Sequence, residues 1–152
     1  RRGMGRPSHL YGLTEHAEAL FPKRYDLLAL EALAFVKAQG GTDALDQFFA
    51  ARRLQFAKQL APRLAGKGRA EQVSELAAAL TEQGYMCEFQ HMPDGSFRLT
   101  EHNCPVDCVA RDYPQACEHE LKLYEDILGT PLIREELIAE GGTCCRYRIA
   151  AE

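Results

Sequence analysis

The feature of this sequence that most restricts its fold is a change in apolar periodicity at Tyr85. Before this position, apolar residues recur at helical spacing, as at Val73, Leu76 and Leu80. After it, short strand-like runs are separated by turn signals such as Pro-Asp-Gly at 93–95, where Pro presets φ and Gly accepts a positive φ. Helices followed by a ββ-αα-ββ order predict an α+β fold.

Proline and glycine delimit the predicted elements, with stops at Pro22, Gly40-Gly41 and Gly84. The helices expected from this punctuation cover residues 15–21, 24–39, 43–64, 70–83, 106–111 and 114–128. The strands expected from alternation and turn residues cover residues 85–91, 97–101, 132–139 and 143–150.

The length and composition are those of a globular chain that does not cross a membrane. It has 152 residues, 46% hydrophobic and 26% charged, enough for one core. The longest apolar stretch, residues 27–36, is interrupted by Glu31 and is too short to span a bilayer. No secretory signal is visible, so we expect a cytoplasmic protein. Because the chain starts at Arg1 without a Met, we expect it to be the C-terminal part of a longer protein.

Charge is distributed unevenly along the chain. Arg1, Arg2 and Arg6 make the N-terminus basic, whereas residues 101–152 carry 5 basic and 11 acidic side chains. Contact with a polyanion such as DNA is therefore expected at the N-terminus, because the acidic C-terminal third would repel it.

The C-terminal third is also rich in cysteine. Five of the six cysteines lie within residues 104–152, and without a secretion signal such a cluster points to metal or redox chemistry. Cys104 follows a predicted strand, Cys117 lies on the inner face of a predicted helix, and Cys145 begins the last strand. These positions can converge in a ββ-αα-ββ layer, where the helix N-terminus is expected to lower the pKa of Cys117.

Several kinds of site remain open for these three cysteines. With His102 or His119 they could hold structural zinc, although the spacing contains no C-x2-C pair. They could instead hold an iron–sulfur cluster with one iron left to another ligand, a labile arrangement that suits a sensor. In the simplest alternative they are buried thiols acting as small hydrophobes, which is our interpretation of Cys87 and Cys108.

Three segments of the chain resemble a known family of regulators. They are GRPSHLYGLTEHAEALFPKRYD (5–26), LTEHNCPVDCVARDYPQACEHEL (99–121) and GGTCCRYRI (141–149). In these segments and in their order, the sequence resembles the iron–sulfur-cluster-responsive winged-helix transcription regulators of the Suf-operon repressor (SufR) type over essentially its whole length. The most specific match is Asn-Cys-Pro followed by Cys117 and by the terminal Cys-Arg-Tyr-Arg-Ile.

The resemblance implies three regions along the chain. Residues 1–14 would be the basic tail of a winged-helix wing, in which Arg1, Arg2 and Arg6 contact DNA. Residues 15–84 would be a helical linker and homodimerisation region, followed at 85–152 by a cysteine-rich ββ-αα-ββ sensor domain. The winged-helix domain that binds the operator would lie upstream and be absent from this chain.

The resemblance also implies a [4Fe-4S] cluster on Cys104, Cys117 and Cys145 whose state controls operator binding, in a regulator of iron–sulfur cluster biogenesis. A fourth thiolate is not secured, because residues 118–143 contain no Cys. The candidates for an additional ligand are Cys108, Cys144 and His102. Neighbouring residues of a strand point to opposite faces, so only one of Cys144 and Cys145 can face the site. We choose Cys145, which directly precedes Arg-Tyr-Arg-Ile.

Other functional classes are less well supported by the residues. Cys104 could form a thiol–imidazole pair with His102 or His119. The sequence shows neither an oxyanion hole nor a phosphate-binding loop beside such a pair, so we do not expect an enzyme. Glu118 and Glu120 are expected to be solvated. The alternatives to an iron–sulfur sensor are a zinc-stabilised domain and a metal-free regulatory domain that binds a small molecule in an apolar pocket lined by the hairpin and the helix at 114–128.

Overall fold

The computed structural model describes residues 9–14, 17 and 20–151. The predicted DNA-contacting residues Arg1, Arg2 and Arg6 lie outside the described residues, as does most of the helix predicted at residues 15–21. Residues 9–14 are exposed and have no regular secondary structure.

The first helix, α1 (Tyr25–Leu64), is bent at a pair of glycines. Gly40 and Gly41 have non-helical dihedral angles, with a φ of 66° at Gly41. The helices predicted at 24–39 and 43–64 are therefore two segments of α1 joined by a kink. A φ in the left-handed region costs little only for Gly, which explains why the bend lies here.

Replacing Gly41 with Ala is expected to lower the free energy of unfolding by about 1 kcal/mol, because a side chain is strained at this φ. An added Cβ would meet no heavy atom within 4 Å, so strain acts without a steric clash. Urea denaturation followed by circular dichroism measures the change. Gly12→Ala is the control, since Gly12 also lies in open space but outside the left-handed region. Equal stabilities of the two variants would contradict the strain argument.

Beyond α1, the described residues form a four-stranded antiparallel sheet and three α-helices. The helices are α2 (Arg69–Glu82), α3 (Asp107–Asp112) and α4 (Gln115–Leu128). The strands are β1 (Cys87–His91), β2 (Phe97–Glu101), β3 (Leu132–Glu136) and β4 (Cys145–Ile149), in the spatial order β1-β2-β4-β3. The predicted α+β class and the order of helices followed by ββ-αα-ββ are confirmed.

The strand β3 is shorter than predicted because the chain turns away from the sheet after Glu136. Its register with β4 shifts between Arg134 and Glu136, and Ile138–Glu140 forms a 3-10 turn. The backbone N–H of Gly142 donates to the carbonyl oxygen of Leu137 at 2.9 Å and closes this turn. The backbone groups that would have extended the strand to residue 139 are thus used locally.

A main core joins the inner face of the sheet to the helices. Its largest fully buried side chains are Leu60, Leu76, Leu80, Leu99, Tyr124, Tyr147 and Ile149. A second cluster links both segments of α1 to α3 through Leu33, Phe49 and Val109. Among the described residues, no helix is both long and apolar enough to cross a membrane.

Candidate functional site

The three cysteines singled out from the sequence lie around one end of the main core. Cys104 follows β2, Cys117 lies in the first turn of α4, and Cys145 begins β4. Cys117 and Cys145 are buried members of the core, and Cys104 packs against it from a partly buried position. Cys104 interacts electrostatically with Cys117 and with Cys145, so residues separated by up to 41 positions share one neighbourhood.

The three residues considered as additional ligands make other contacts. Cys108 packs against the second cluster, beside α1. The ring of His102 lies at the surface, with its Nε2 3.0 Å from Glu88 Oε1. Cys144 contacts the Glu136–Arg146 ion pair, with its Sγ 3.1 Å from Arg146 Nη2.

The adjacent cysteines Cys144 and Cys145 have different surroundings, as strand geometry requires. Cys145 is paired in register with Glu101 of β2 and belongs to the main core. Its Sγ also accepts a hydrogen bond from the backbone N–H of Ile138 at 3.5 Å. Cys145 is therefore the member of the pair that lies with Cys104.

Glu101 is a buried carboxylate of this neighbourhood that the sequence interpretation missed. It ends β2, is fully buried, and is paired with Cys145 on one side and Cys87 on the other. Its Oε1 accepts a hydrogen bond from the hydroxyl of Tyr124 at 2.7 Å. The alternation of β2 carried the signal, because Phe97 and Leu99 place every second residue, including Glu101, on the inner face.

Glu120 is a second carboxylate in the same place, and the expectation that it is solvated is wrong. It lies one helical turn after Cys117, and both of its oxygens accept hydrogen bonds from tyrosine hydroxyls. Tyr85 donates to Oε2 at 2.8 Å and Tyr147 to Oε1 at 3.2 Å. Glu118, by contrast, is exposed as expected and pairs with Arg134.

Burial keeps the three thiols protonated at neutral pH when nothing is bound. It raises the pKa of Cys104 and of Cys145 to about 12 each, and that of Cys117 to about 11. The predicted lowering of the Cys117 pKa by the helix N-terminus is therefore wrong, because desolvation outweighs the helix dipole. The Arg134 guanidinium opposes this rise in the pKa of Cys117.

The two carboxyls are also shifted toward their neutral forms. Burial and then the neighbouring Glu120 raise the pKa of Glu101 well above its usual value. Burial likewise raises the pKa of Glu120, against the effect of its tyrosine donors. A bound cation would reverse this preference by stabilising thiolate and carboxylate forms together.

The donor set fits an iron–sulfur cluster chemically. All six cysteines are free, and thiolates are the ligands that such clusters take. In the described part of the chain, no three His, Cys, Asp or Glu side chains are grouped as ligands of a single metal ion. The residues that would hold a cluster are Cys104, Cys117 and Cys145.

A cavity of about 520 Å³ lies between α4 and the two segments of α1 and is bordered by Glu120, Tyr85 and Tyr124. Its wall is mainly apolar and includes Leu33, Phe49 and Val109. The pocket predicted for a small-molecule domain was to be lined by the hairpin and the helix at 114–128, and this cavity is lined by that helix, by Tyr85 and by both segments of α1. His119 borders the cavity, is stacked on Phe49 and has its Nε2 2.9 Å from Asp46 Oδ1, so it is a hydrogen-bonded histidine.

No family model, curated protein or solved structure matches this chain.

Proposed function

We propose that this chain is the dimerisation and sensor portion of a cytoplasmic DNA-binding transcription regulator that binds a [4Fe-4S] cluster. The observation that carries the proposal is the gathering of Cys104, Cys117 and Cys145 from three separate elements around one end of the core. These are also the cysteines that match the pattern of the SufR-type regulators, the family that the chain resembles. The regulated genes would be those of iron–sulfur cluster biogenesis.

The three thiolates would link the loop after β2, the start of α4 and the start of β4. Arg134 supports this arrangement, since its Nη2 donates to the carbonyl oxygen of Cys117 at 2.6 Å and its Nη1 pairs with Glu118 at 2.9 Å. A bound cluster supplies an iron centre that is sensitive to oxidants and to iron supply.

Contacts between α4 and α1 provide a route from the thiols to the long helix. His119, two residues after Cys117, lies 2.9 Å from Asp46, and Asp126 pairs with Arg53 at 3.0 Å. Through them, a shift of α4 would reach the part of α1 beyond the kink. A tenfold change in operator occupancy requires a preference of about 1.4 kcal/mol between two arrangements of these elements. Operator contact belongs, in this proposal, to a winged-helix domain outside the described residues.

The exposed apolar side chains of α1 support a homodimer. Phe35, Phe48 and Leu54 are 66%, 44% and 55% exposed, which is unusual for large apolar residues on one helix. A second copy of the chain would cover them, in keeping with the role of the long helices in the family that this sequence resembles.

Replacing Phe35 and Leu54 together with Glu is expected to convert the dimer to a monomer, because two charges would be buried at the interface. Sedimentation velocity of the wild-type and variant chains measures the change. Ile133→Glu on β3 is the control, since Ile133 is also exposed, at 64%, but lies on the sheet. A wild-type monomer, or a double variant that remains dimeric, would contradict the assignment of this face.

Anaerobic purification with a visible spectrum and with iron and sulfide analysis tests the sensor proposal. Broad absorbance at roughly 400 nm with matching iron and sulfide would support it. A colourless protein with stoichiometric zinc would instead favour the zinc-stabilised alternative. A metal-free protein that resists anaerobic reconstitution would overturn the sensor proposal and direct attention to the cavity beside α1 as a small-molecule site.

A further inference from the structure

The carboxyl group of Glu101 is fully buried beside the thiols, and only one of its two oxygens accepts a hydrogen bond from the described residues. Its Oε1 accepts the Tyr124 hydroxyl, but its Oε2 has no hydrogen-bond partner among the described residues. Glu101 has a relative exposure of 0%, so the surface does not hydrate this atom. An orphaned buried carboxylate oxygen is costly, and it indicates a partner that the described residues do not supply.

Glu101 adjoins the residues proposed to bind the cluster. It is directly opposite Cys145 in the register of β2 and β4, and the Cβ atoms of such pairs are typically about 5 Å apart on the same face. It also lies three residues before Cys104, and its partner Tyr124 belongs to the same core as Cys117. Glu101 is therefore in the neighbourhood of all three cysteines.

Three other candidate donors already have partners. Both oxygens of Glu120 accept tyrosine hydroxyls, and Cys144 contacts the Glu136–Arg146 ion pair. His102 is paired with Glu88 at the surface. Of the fully buried Glu101 and the partly buried Glu120, only Glu101 has an oxygen without a partner among the described residues.

We infer that Glu101 Oε2 is the ligand of the fourth iron and completes the site formed by Cys104, Cys117 and Cys145. This inference rests on the proposed function. Loading releases the carboxyl proton to solvent, as it does the thiol protons. A carboxylate is a harder ligand than a thiolate, so the iron it holds exchanges more readily than the other three. Oxygen ligation would thus make one iron the point at which the cluster first responds to oxidants or to iron shortage.

The test compares four reconstituted chains: the wild type, Glu101→Gln, Glu101→Cys and Glu120→Gln. Ferricyanide takes one electron from [4Fe-4S]²⁺, which then releases Fe²⁺ and becomes [3Fe-4S]⁺, and electron paramagnetic resonance follows the product. Glu101→Cys is expected to slow this conversion at least about tenfold, because a thiolate holds the fourth iron more firmly. Glu101→Gln is expected to carry about three irons per chain instead of about four.

Glu120→Gln is the control, because it removes a second carboxylate of this neighbourhood, which is partly buried and has both oxygens engaged. It should keep the iron content and oxidation rate of the wild type. Equal effects of Glu120→Gln and Glu101→Gln would overturn the inference, since buried charge rather than ligation would then control the fourth iron.

The outcomes separate this inference from the proposed function. A wild-type chain that takes up no cluster contradicts the proposed function itself. A wild-type cluster, with unchanged iron content and oxidation rate in both Glu101 variants, overturns the ligand assignment and leaves the sensor proposal standing. If the circular dichroism of the Glu101→Gln apoprotein shows that it is unfolded, the oxidation rate of Glu101→Cys by itself tests whether Glu101 binds the fourth iron.

Discussion

Replacing Cys104 or Cys117 with Ser is expected to abolish uptake of the iron–sulfur cluster while the helices and sheet remain folded. Serine has nearly the shape of cysteine, but its oxygen is a hard donor and a poor ligand for iron in such clusters. Both side chains lie at one end of the core, where the exchange of a sulfur for an oxygen removes little packing. Absorbance at roughly 400 nm after anaerobic reconstitution should fall to less than about a tenth of the wild-type value.

Cys108→Ser and Cys87→Ser are the controls for this experiment. Cys108 packs against the second cluster, and neither residue belongs to the proposed ligand set. Both should reconstitute as the wild type does, and far-ultraviolet circular dichroism should be unchanged in all four variants. Full cluster absorbance in both Cys104→Ser and Cys117→Ser would show that the ligand assignment is wrong.

The same experiment separates the two adjacent cysteines near the C-terminus. Cys145→Ser should lose the cluster, because Cys145 lies with the other thiols in the core. Cys144→Ser should retain it, because Cys144 lies against Glu136 and Arg146. The reverse result would place the last ligand on the opposite face of β4.

Replacing Leu99 with Ala is expected to lower the free energy of unfolding by about 2–5 kcal/mol, the range found for buried leucines. Leu99 is fully buried on β2, where it is paired with Tyr147 of β4 and Phe89 of β1. Its loss would leave a cavity behind the pair formed by Tyr124 and Tyr147, whose rings meet edge to face with centroids 5.5 Å apart. Urea denaturation of the apoprotein measures the effect.

Ile133→Ala is the control for Leu99→Ala, because it removes methylene and methyl groups from a strand residue that is 64% exposed. Its effect should stay within about 1 kcal/mol, the span of strand propensity. A loss below about 1 kcal/mol for Leu99→Ala would mean that the sheet does not pack on the helices as described.

The secondary structure was largely predictable because its signals are local. The bounds of β2 match the prediction at both ends, α2 is shifted by one residue at each end, and α4 begins one residue later than predicted. Glycine and proline positions and a period of 3.6 or 2 determine such boundaries over a few residues. The end of β3 was missed, because the hydrogen bonds around Ile138–Glu140 depend on a compact turn that periodicity does not indicate.

The candidate site was only partly predictable. Cys104, Cys117 and Cys145 were identified from their clustering and from the resemblance to known regulators. Strand alternation implied that only one of the two adjacent cysteines faces the site, and Cys145 was chosen because it directly precedes Arg-Tyr-Arg-Ile. The pKa of Cys117 was predicted in the wrong direction, because the helix dipole is visible in a sequence whereas burial is not. Glu120 was misjudged for the same reason, as its tyrosine donors lie 35 residues before it and 27 after it.

The amino-acid sequence alone therefore determined the order and type of the elements, the interruption of the helix at Gly40-Gly41 and the clustering of cysteines in the C-terminal third. Those features depend on residues close together in the chain. Only the tertiary structure decided that Glu101 is opposite Cys145, that its second oxygen has no partner among the described residues, and that burial raises the pKa of the thiols. Strand register and desolvation arise from contacts between distant segments, and no local pattern of residues encodes them.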